Sequence, residues 1–231
     1  MGPAPMNEAA LRQEICAVGR RMYEQHLIAA SDGNVSVRLG DDRYLVTPSG
    51  ISKGFMTPES LVIANGRGEK VAGEGKVTSE FFTHLAAYEE RPDIHAVVHA
   101  HPITATALPL MGISLEAPIL PEVVVGLGGI PTAAYATPGT KEGADVLRPH
   151  IARCDAILLY RHGAITAGAN LLEAYHKLEK LEHAAQVLHL LYQHGTPTHL
   201  EEAQIRKLIA CRAPYGATGK FLPIPGIEER G

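Results

Sequence analysis

His99 and His101 sit one residue apart at the end of the run HAVVHAH, residues 95–101. The run is rich in β-branched residues and is closed by Pro102, so it reads as a strand. On a strand, residues i and i+2 point to one side. Two imidazoles near a strand end therefore face one way, within reach of a single ion. Imidazole is the commonest protein metal ligand. The pair taken alone fits two packed histidines equally well.

His162 follows the apolar run DAILLY, in Arg161-His162-Gly163. A polar residue after an apolar strand falls where open α/β sheets place their sites. Alone, it reads as a hydrogen-bonded core histidine. With His99 and His101 it completes a set of three, and three protein ligands plus an open position is how catalytic zinc centres are built. Glu80, in Thr78-Ser79-Glu80, stands at a helix start, where the helix dipole favours a carboxylate. Its functional reading is a fourth ligand or a general base. Three segments suit a phosphate. Gly33-Asn34 and Ser49-Gly50 are small residues with free backbone N–H groups, although such pairs are also ordinary turns. Thr78 and Ser79 add hydroxyls at a helix N-terminus, a natural anion site. His176, His183 and His189 fall on a long Leu-rich helix, where packing explains them. His26, His84, His95, His150, His194 and His199 show no pairing pattern.

The elements that must position these groups fit one domain of 231 residues, a length that can bury roughly 70% of its unfolded surface. The net charge of −4 carries no clustered basic stripe of the kind nucleic acid selects. No 18-residue apolar run marks a membrane span, and the N-terminus lacks the basic and apolar regions of a signal peptide. Met6 reads as the natural start, with residues 1–6 vector-derived or disordered. The cysteines, Cys16, Cys154 and Cys211, are odd in number and far apart, which speaks for a reducing cytoplasm rather than a disulfide framework.

Residues 7–29 predict an amphipathic helix with Leu11, Ile15, Val18 and Met22 in one stripe. VSVRL and YLVT predict a hairpin, and LVIAN and KVA a second. A helix is expected from Thr78-Ser79-Glu80 to about Glu90, capped by Thr78 or Ser79, with Phe82, Leu85 and Ala86 buried. ITATALPLMG predicts a helix. VVVGL and IPTAAYA predict short strands, and residues 137–151 a helix capped by Thr137 or Thr140. DAILLYRHG reads as a buried strand that AITAG continues. Residues 170–194 predict a long helix with a capping pattern at Asn170 and Glu173 and a stripe from Leu171 to Tyr192. Residues 199–210 predict a last helix, and 212–231 an irregular tail. Hairpin-connected strands imply a largely antiparallel, mixed sheet with helices on its faces, a single αβα domain of the α/β class.

The motifs GNVSVR (33–38), TPSGI (47–51), TSEFFTHLAAYEERPDIHAVVHAHP (78–102), AYATPGT (134–140) and LLYRHGAI (158–165) resemble, in order and spacing, the class II aldolase/adducin family. The resemblance runs from about residue 10 to 215 and lies nearest the bacterial L-fuculose-phosphate aldolases. It implies a homotetramer with sites between subunits, and zinc on His99, His101 and His162, with manganese or cobalt also compatible. It implies that Glu80 binds the metal at rest and takes the substrate proton. Gly33, Asn34, Ser49, Gly50, Thr78 and Ser79 would hold the phosphate of a small sugar phosphate. One departure stands out: aligning on Gly128-Gly129 puts Glu122 where those aldolases carry a tyrosine. A carboxylate can donate a proton there if its pKa is raised. Tyr215 matches their tail tyrosine. The expected reaction is retro-aldol cleavage of a ketose 1-phosphate of the fuculose, 5-deoxyribulose or methylthioribulose type, to dihydroxyacetone phosphate and an aldehyde. The rivals are a sugar-phosphate 4-epimerase, a methylthioribulose 1-phosphate dehydratase and a metal-free adducin-like interaction domain.

Overall fold

The computed structural model describes residues 7–224. Asn7 accepts from the Ala9 N–H and opens helix α1 (Glu8–Glu24), which buries Leu11, Ile15, Val18 and Met22 as their spacing predicts. The helix stops five residues earlier than expected. His26 and Ala30 take positive φ in the turns that follow, where Leu27 and Ile28 are buried.

Strands β1 (Asn34–Gly40) and β2 (Arg43–Val46) form the first hairpin, and β3 (Val62–Asn65) and β4 (Lys70–Ala72) the second. Helix α2 (Phe81–Glu90), strand β5 (Ala96–Ala100) and helix α3 (Ile103–Leu110) follow, then α4 (Pro121–Gly126), β6 (Thr132–Ala133) and α5 (Lys141–Ile151). Strands β7 (Ala156–Leu159) and β8 (Gly163–Gly168) and helices α6 (Leu171–His194) and α7 (Glu202–Ala210) complete the described chain. The eight strands make one mixed sheet in the order β4-β3-β2-β1-β5-β8-β7-β6. Every neighbouring pair is antiparallel except β6 and β7.

Side chains that alternate along these strands serve two faces. Val35, Val37, Ala96, Val98, Leu158 and Ala164 pack with α1, α3 and α6. Val46, Val97, Ile157 and Ile165 pack with α2 and α5 on the other face. Asn34, Ser36 and His99 share the parity of this second face. Among the described residues no helix is long and apolar enough to cross a membrane.

Several expectations fail for local physical reasons. VVVGL forms helix α4: Pro121 stands in its first turn, Val123 is buried in the main core and Val124 packs with Ile205 and Ile224. Tertiary packing here overrides β propensity. Only Thr132–Ala133 of IPTAAYA pairs. DAILLYRHGAITAG is a hairpin rather than one strand; β7 and β8 pair antiparallel around a turn in which Arg161 has φ +62°. A Cβ on Gly163 would meet the Ala100 carbonyl, so β8 can approach β5 only with glycine there. Phe81 is buried where Phe82 was expected, and Phe82 is exposed. Glu80, not Thr78 or Ser79, occupies the N-cap position of α2, and no side chain caps it. Thr140 is the N-cap residue of α5, but its hydroxyl donates to the Thr137 carbonyl instead of accepting. Tyr192 is exposed and the buried stripe of α6 ends at Leu188. Asn170 caps α6 by accepting from the Glu173 N–H, while Glu173 accepts from Ala169.

Candidate active site

The antiparallel register sets Asn34 of β1 opposite His99 of β5. His101 lies just beyond the end of β5, where its N–H donates to the Leu27 carbonyl. The β7–β8 turn carries His162, and Glu80 stands at the start of α2. One ligand atom from each of Glu80, His99, His101 and His162 can be chosen so that all lie within 4.8 Å of one another. The imidazole centroids of the three histidines are 4.6, 4.9 and 5.0 Å apart.

Hydrogen-bond logic fixes the ring states. His99 Nδ1 lies 2.9 Å from the Ala164 carbonyl oxygen, which can only accept. Nδ1 therefore carries the hydrogen and Nε2 presents a lone pair. That lone pair faces His101 Nε2 at 3.1 Å and Glu80 Oε2 at 3.3 Å. His101 Nδ1 lies 3.5 Å from Asp32 Oδ2, the carboxylate–histidine arrangement that turns the other ring nitrogen toward a metal. His162 Nε2 is 3.1 Å from Glu80 Oε1. Burial, helped by the neighbouring His99 and His162, pushes the His101 pKa down to about 4, so its ring is neutral at pH 7. Burial works to raise the Glu80 pKa, but the adjoining His162 and His99 rings outweigh it and hold the carboxyl well below its usual range. Three imidazoles and a carboxylate converging on one point form a donor set that a divalent cation fits.

The segments expected to hold phosphate lie at the same end of the sheet. Gly33 takes φ +71°, and a Cβ there would come 2.6 Å from Ile28 and 3.0 Å from the His99 carbonyl. Asn34 is buried, and its side-chain amide is committed to Glu80: Nδ2 donates to Oε2 at 2.8 Å. Ser49 and Gly50 form an exposed turn, with Gly50 at φ +77°. The Ser49 N–H donates to Lys76, and Pro48 bridges Val77, which joins this turn to the segment leading into Thr78. Thr78 is half-buried and Ser79 exposed.

Lys53 went unnoticed in the sequence because a lysine in a turn-rich stretch reads as surface. Its side chain is buried, and Nζ donates to the carbonyls of Ser31 at 2.5 Å and Ile51 at 3.0 Å. It ties the loop before Gly33 to the loop after Gly50. Burial lowers its pKa to about 8, against the pull of Asp32 and Glu80.

Glu122 and Tyr215 are elsewhere. Both are exposed and line a groove of about 700 Å³ between α4, α6 and the tail, together with Val125, His176, Lys180 and Thr218. The groove contains none of the four cluster residues. Arg212 holds the tail in place, donating to the Val125 carbonyl and stacking over Phe221. Beside the cluster is a crevice of only about 20 Å³, lined by Glu80, Thr83, Gly139, Tyr160 and His162 among others. Small-molecule sites usually occupy some hundreds of Å³, far more than this crevice.

The family described as Class II Aldolase and Adducin N-terminal domain matches residues 13–189. The chain is 34% identical over 188 residues to the 3-oxo-tetronate 4-phosphate decarboxylase of Escherichia coli strain K12, covering 80% of this chain and 88% of that protein. It is 35% identical over 180 residues to the L-fuculose phosphate aldolase of Methanococcus maripaludis, covering 77% and 96%. Among solved structures, YgbL from Klebsiella pneumoniae superposes with a TM-score of 0.82 at 31% identity, covering 88% of this chain and 99% of that one.

Proposed function

The chain belongs to the class II aldolase and adducin family, and on that premise we propose that it cleaves a ketose 1-phosphate by a retro-aldol reaction. The products are dihydroxyacetone phosphate and an aldehyde. The observation that carries the reading is the convergence of Glu80 with His99, His101 and His162. A divalent metal on these four, zinc in this reading with manganese or cobalt as alternatives, supplies positive charge to the oxygens on which negative charge develops.

The chain's own groups do the rest. Cleavage of the C3–C4 bond leaves its electron pair on the three-carbon fragment, conjugated with the C2 carbonyl. Glu80, ionised at neutral pH, removes the C3 proton of dihydroxyacetone phosphate in the aldol direction; in cleavage it must first take up a proton from the bound substrate or solvent and then delivers it to C3. Gly33, Asn34, Ser49, Gly50, Thr78 and Ser79 hold the phosphate, Asn34 by its backbone because its amide holds Glu80. Lys53 keeps two of these loops together and places a positive charge near them. Phosphate binding is remote from the bond that breaks and contributes orientation. The proton of the C4 hydroxyl passes to Glu122 or Tyr215 of a neighbouring subunit in a homotetramer. The separation of the groove from the metal cluster within one chain supports that arrangement.

A second reading is favoured by the similarity to 3-oxo-tetronate 4-phosphate decarboxylase. Loss of carbon dioxide from such a substrate leaves the same three-carbon fragment, so both reactions use the metal and phosphate end identically. They differ in the leaving group. A carboxylate at Glu122 suits a neutral C4 hydroxyl that must lose a proton, and repels a substrate carboxylate. The test is to supply the zinc-loaded protein with a panel of ketose 1-phosphates and with 3-oxo-tetronate 4-phosphate. We expect dihydroxyacetone phosphate with one equivalent of aldehyde. Carbon dioxide from the oxo acid, with every ketose 1-phosphate left intact, would replace the aldolase by the decarboxylase.

A further inference from the structure

Glu80 is held from behind by residues to which no role has been assigned. Glu80, His84 and Tyr88 fall four residues apart, so α2 presents them along one face. Asn34 and Ser36 alternate along β1 toward that same helix. The contacts interleave. Asn34 Nδ2 donates to Glu80 Oε2 at 2.8 Å, which leaves Asn34 Oδ1 as an acceptor. Oδ1 faces His84 Nε2 at hydrogen-bond distance, so His84 carries its hydrogen on Nε2.

His84 is wholly buried, and that burial, with the nearby His99, pushes its pKa down to about 3. The ring is therefore neutral and Nδ1 is a bare lone pair. Ser36 Oγ lies 2.7 Å from Nδ1 and must donate to it. The Tyr88 hydroxyl is 2.9 Å from both Ser36 Oγ and the Ser36 carbonyl, and its one hydrogen goes to the carbonyl, which can only accept. From Ser36 onward every hydrogen points one way, Ser36 to His84, His84 to Asn34, Asn34 to Glu80, and Tyr88 anchors the Ser36 backbone behind them. Hydrogen bonds aligned in this sense polarise one another in a buried setting.

We propose that Tyr88, Ser36 and His84 are positioning residues that act through Asn34 to fix the Glu80 carboxylate for metal binding and proton transfer. The proposal rests on the reading of Glu80 as metal ligand and proton carrier. The chain keeps Oε2 in place and leaves Oε1 beside His162. It also gives the buried histidine of α2 a function that packing alone does not require, since a leucine of similar volume would fill the space without a partner.

The test uses the full-length zinc-loaded protein. Long-range ¹H–¹⁵N correlation spectra report the tautomer of His84 directly, and we expect the neutral Nε2–H form from pH 8 down to about pH 5. Zinc affinity is then measured by competition with a chromogenic chelator. His84→Leu should weaken it by about 10-fold, the low end of what losing a direct partner of a metal ligand costs, because His84 reaches Glu80 through Asn34. In the same variant kcat should fall while KM for the ketose phosphate changes by no more than about twofold. His84→Gln, whose amide can still donate to Asn34 Oδ1, should recover most of both losses, and Tyr88→Phe should cost less than His84→Leu. An Nδ1–H tautomer in the native protein would overturn the proposal, and so would unchanged zinc affinity in His84→Leu. If His84→Leu does not fold, the native tautomer and Tyr88→Phe decide. A protein that holds zinc but cleaves no ketose phosphate would sink the reaction and not the chain, which the tautomer and zinc affinities then judge alone.

Discussion

The two regions that carry candidate chemistry are built differently. The histidine–glutamate cluster stands on regular structure: the ends of β5 and β1, the start of α2 and the β7–β8 hairpin turn. Its members are buried or half-buried, and three of the four have a partner that orients them, Ala164 for His99, Asp32 for His101 and Asn34 for Glu80, while His162 faces Glu80 itself. In the groove, Glu122 and Tyr215 themselves stand on a six-residue helix and an irregular tail, and both side chains are exposed. A metal and a proton carrier need geometry held to fractions of an ångström, which packed elements provide. A surface that distinguishes one leaving group from another can vary on loops carried by the same scaffold.

That contrast can be broken at several points, and the largest effects belong to the cluster. Chelation, or His99→Ala, should lower cleavage on the order of 10³-fold or more, with zinc content by atomic spectroscopy falling in parallel. Turnover that survives full zinc removal would break the contrast at its root. Glu80→Gln should retain zinc on the three histidines yet lose about 10²- to 10⁴-fold in kcat. At the other region, Glu122→Gln and Tyr215→Phe should leave zinc content untouched, and the one that exchanges the C4 hydroxyl proton should lose about 10²-fold in kcat. Lys53→Met should act on the phosphate end, raising KM about tenfold, or about 1.4 kcal/mol, with kcat nearly preserved.

The mildest prediction concerns pH. Protons compete with the metal for imidazole lone pairs, so zinc affinity falls as pH falls. Because burial, aided by the neighbouring His99 and His162, holds the His101 pKa at about 4 rather than 6.5, His101 should keep its lone pair below the range of an exposed histidine. Long-range ¹H–¹⁵N spectra of the metal-free protein between pH 7.5 and 5 measure this; protonation of His101 at or above pH 6.5 would mean that it behaves as a surface residue.

What was legible in the sequence follows the same division. Strand parity alone put His99 and His101 on one side, and the hairpins, the long capped α6 and the mixed sheet follow from periodicity and turn residues. The partner of His84 was invisible, because a lone histidine on a helix among Phe81, Leu85 and Ala86 says that it is buried but not what it touches. Pairing Asn34 with Glu80 needs the start of α2 set against the start of β1, which no local pattern encodes. The support that the Asn34 amide gives Glu80 is therefore an addition to its expected backbone role. Helix α4 was misread because three consecutive valines favour a strand until Val123 and Val124 find helical partners to pack on. Glu122 entered only through resemblance, and nothing in its own surroundings announces a role.

The central claim is that Glu80 and the metal-binding histidines activate the three-carbon phosphate fragment independently of the groove that reads the rest of the substrate. It is tested most directly by incubating the zinc-loaded protein with dihydroxyacetone phosphate alone in deuterium oxide and following the hydroxymethyl protons by NMR. The account predicts exchange of one of the two protons, absent in Glu80→Gln and retained when Glu122→Gln and Tyr215→Phe are combined, although cleavage is then lost. No exchange by the native protein, or equal exchange by Glu80→Gln, would contradict it.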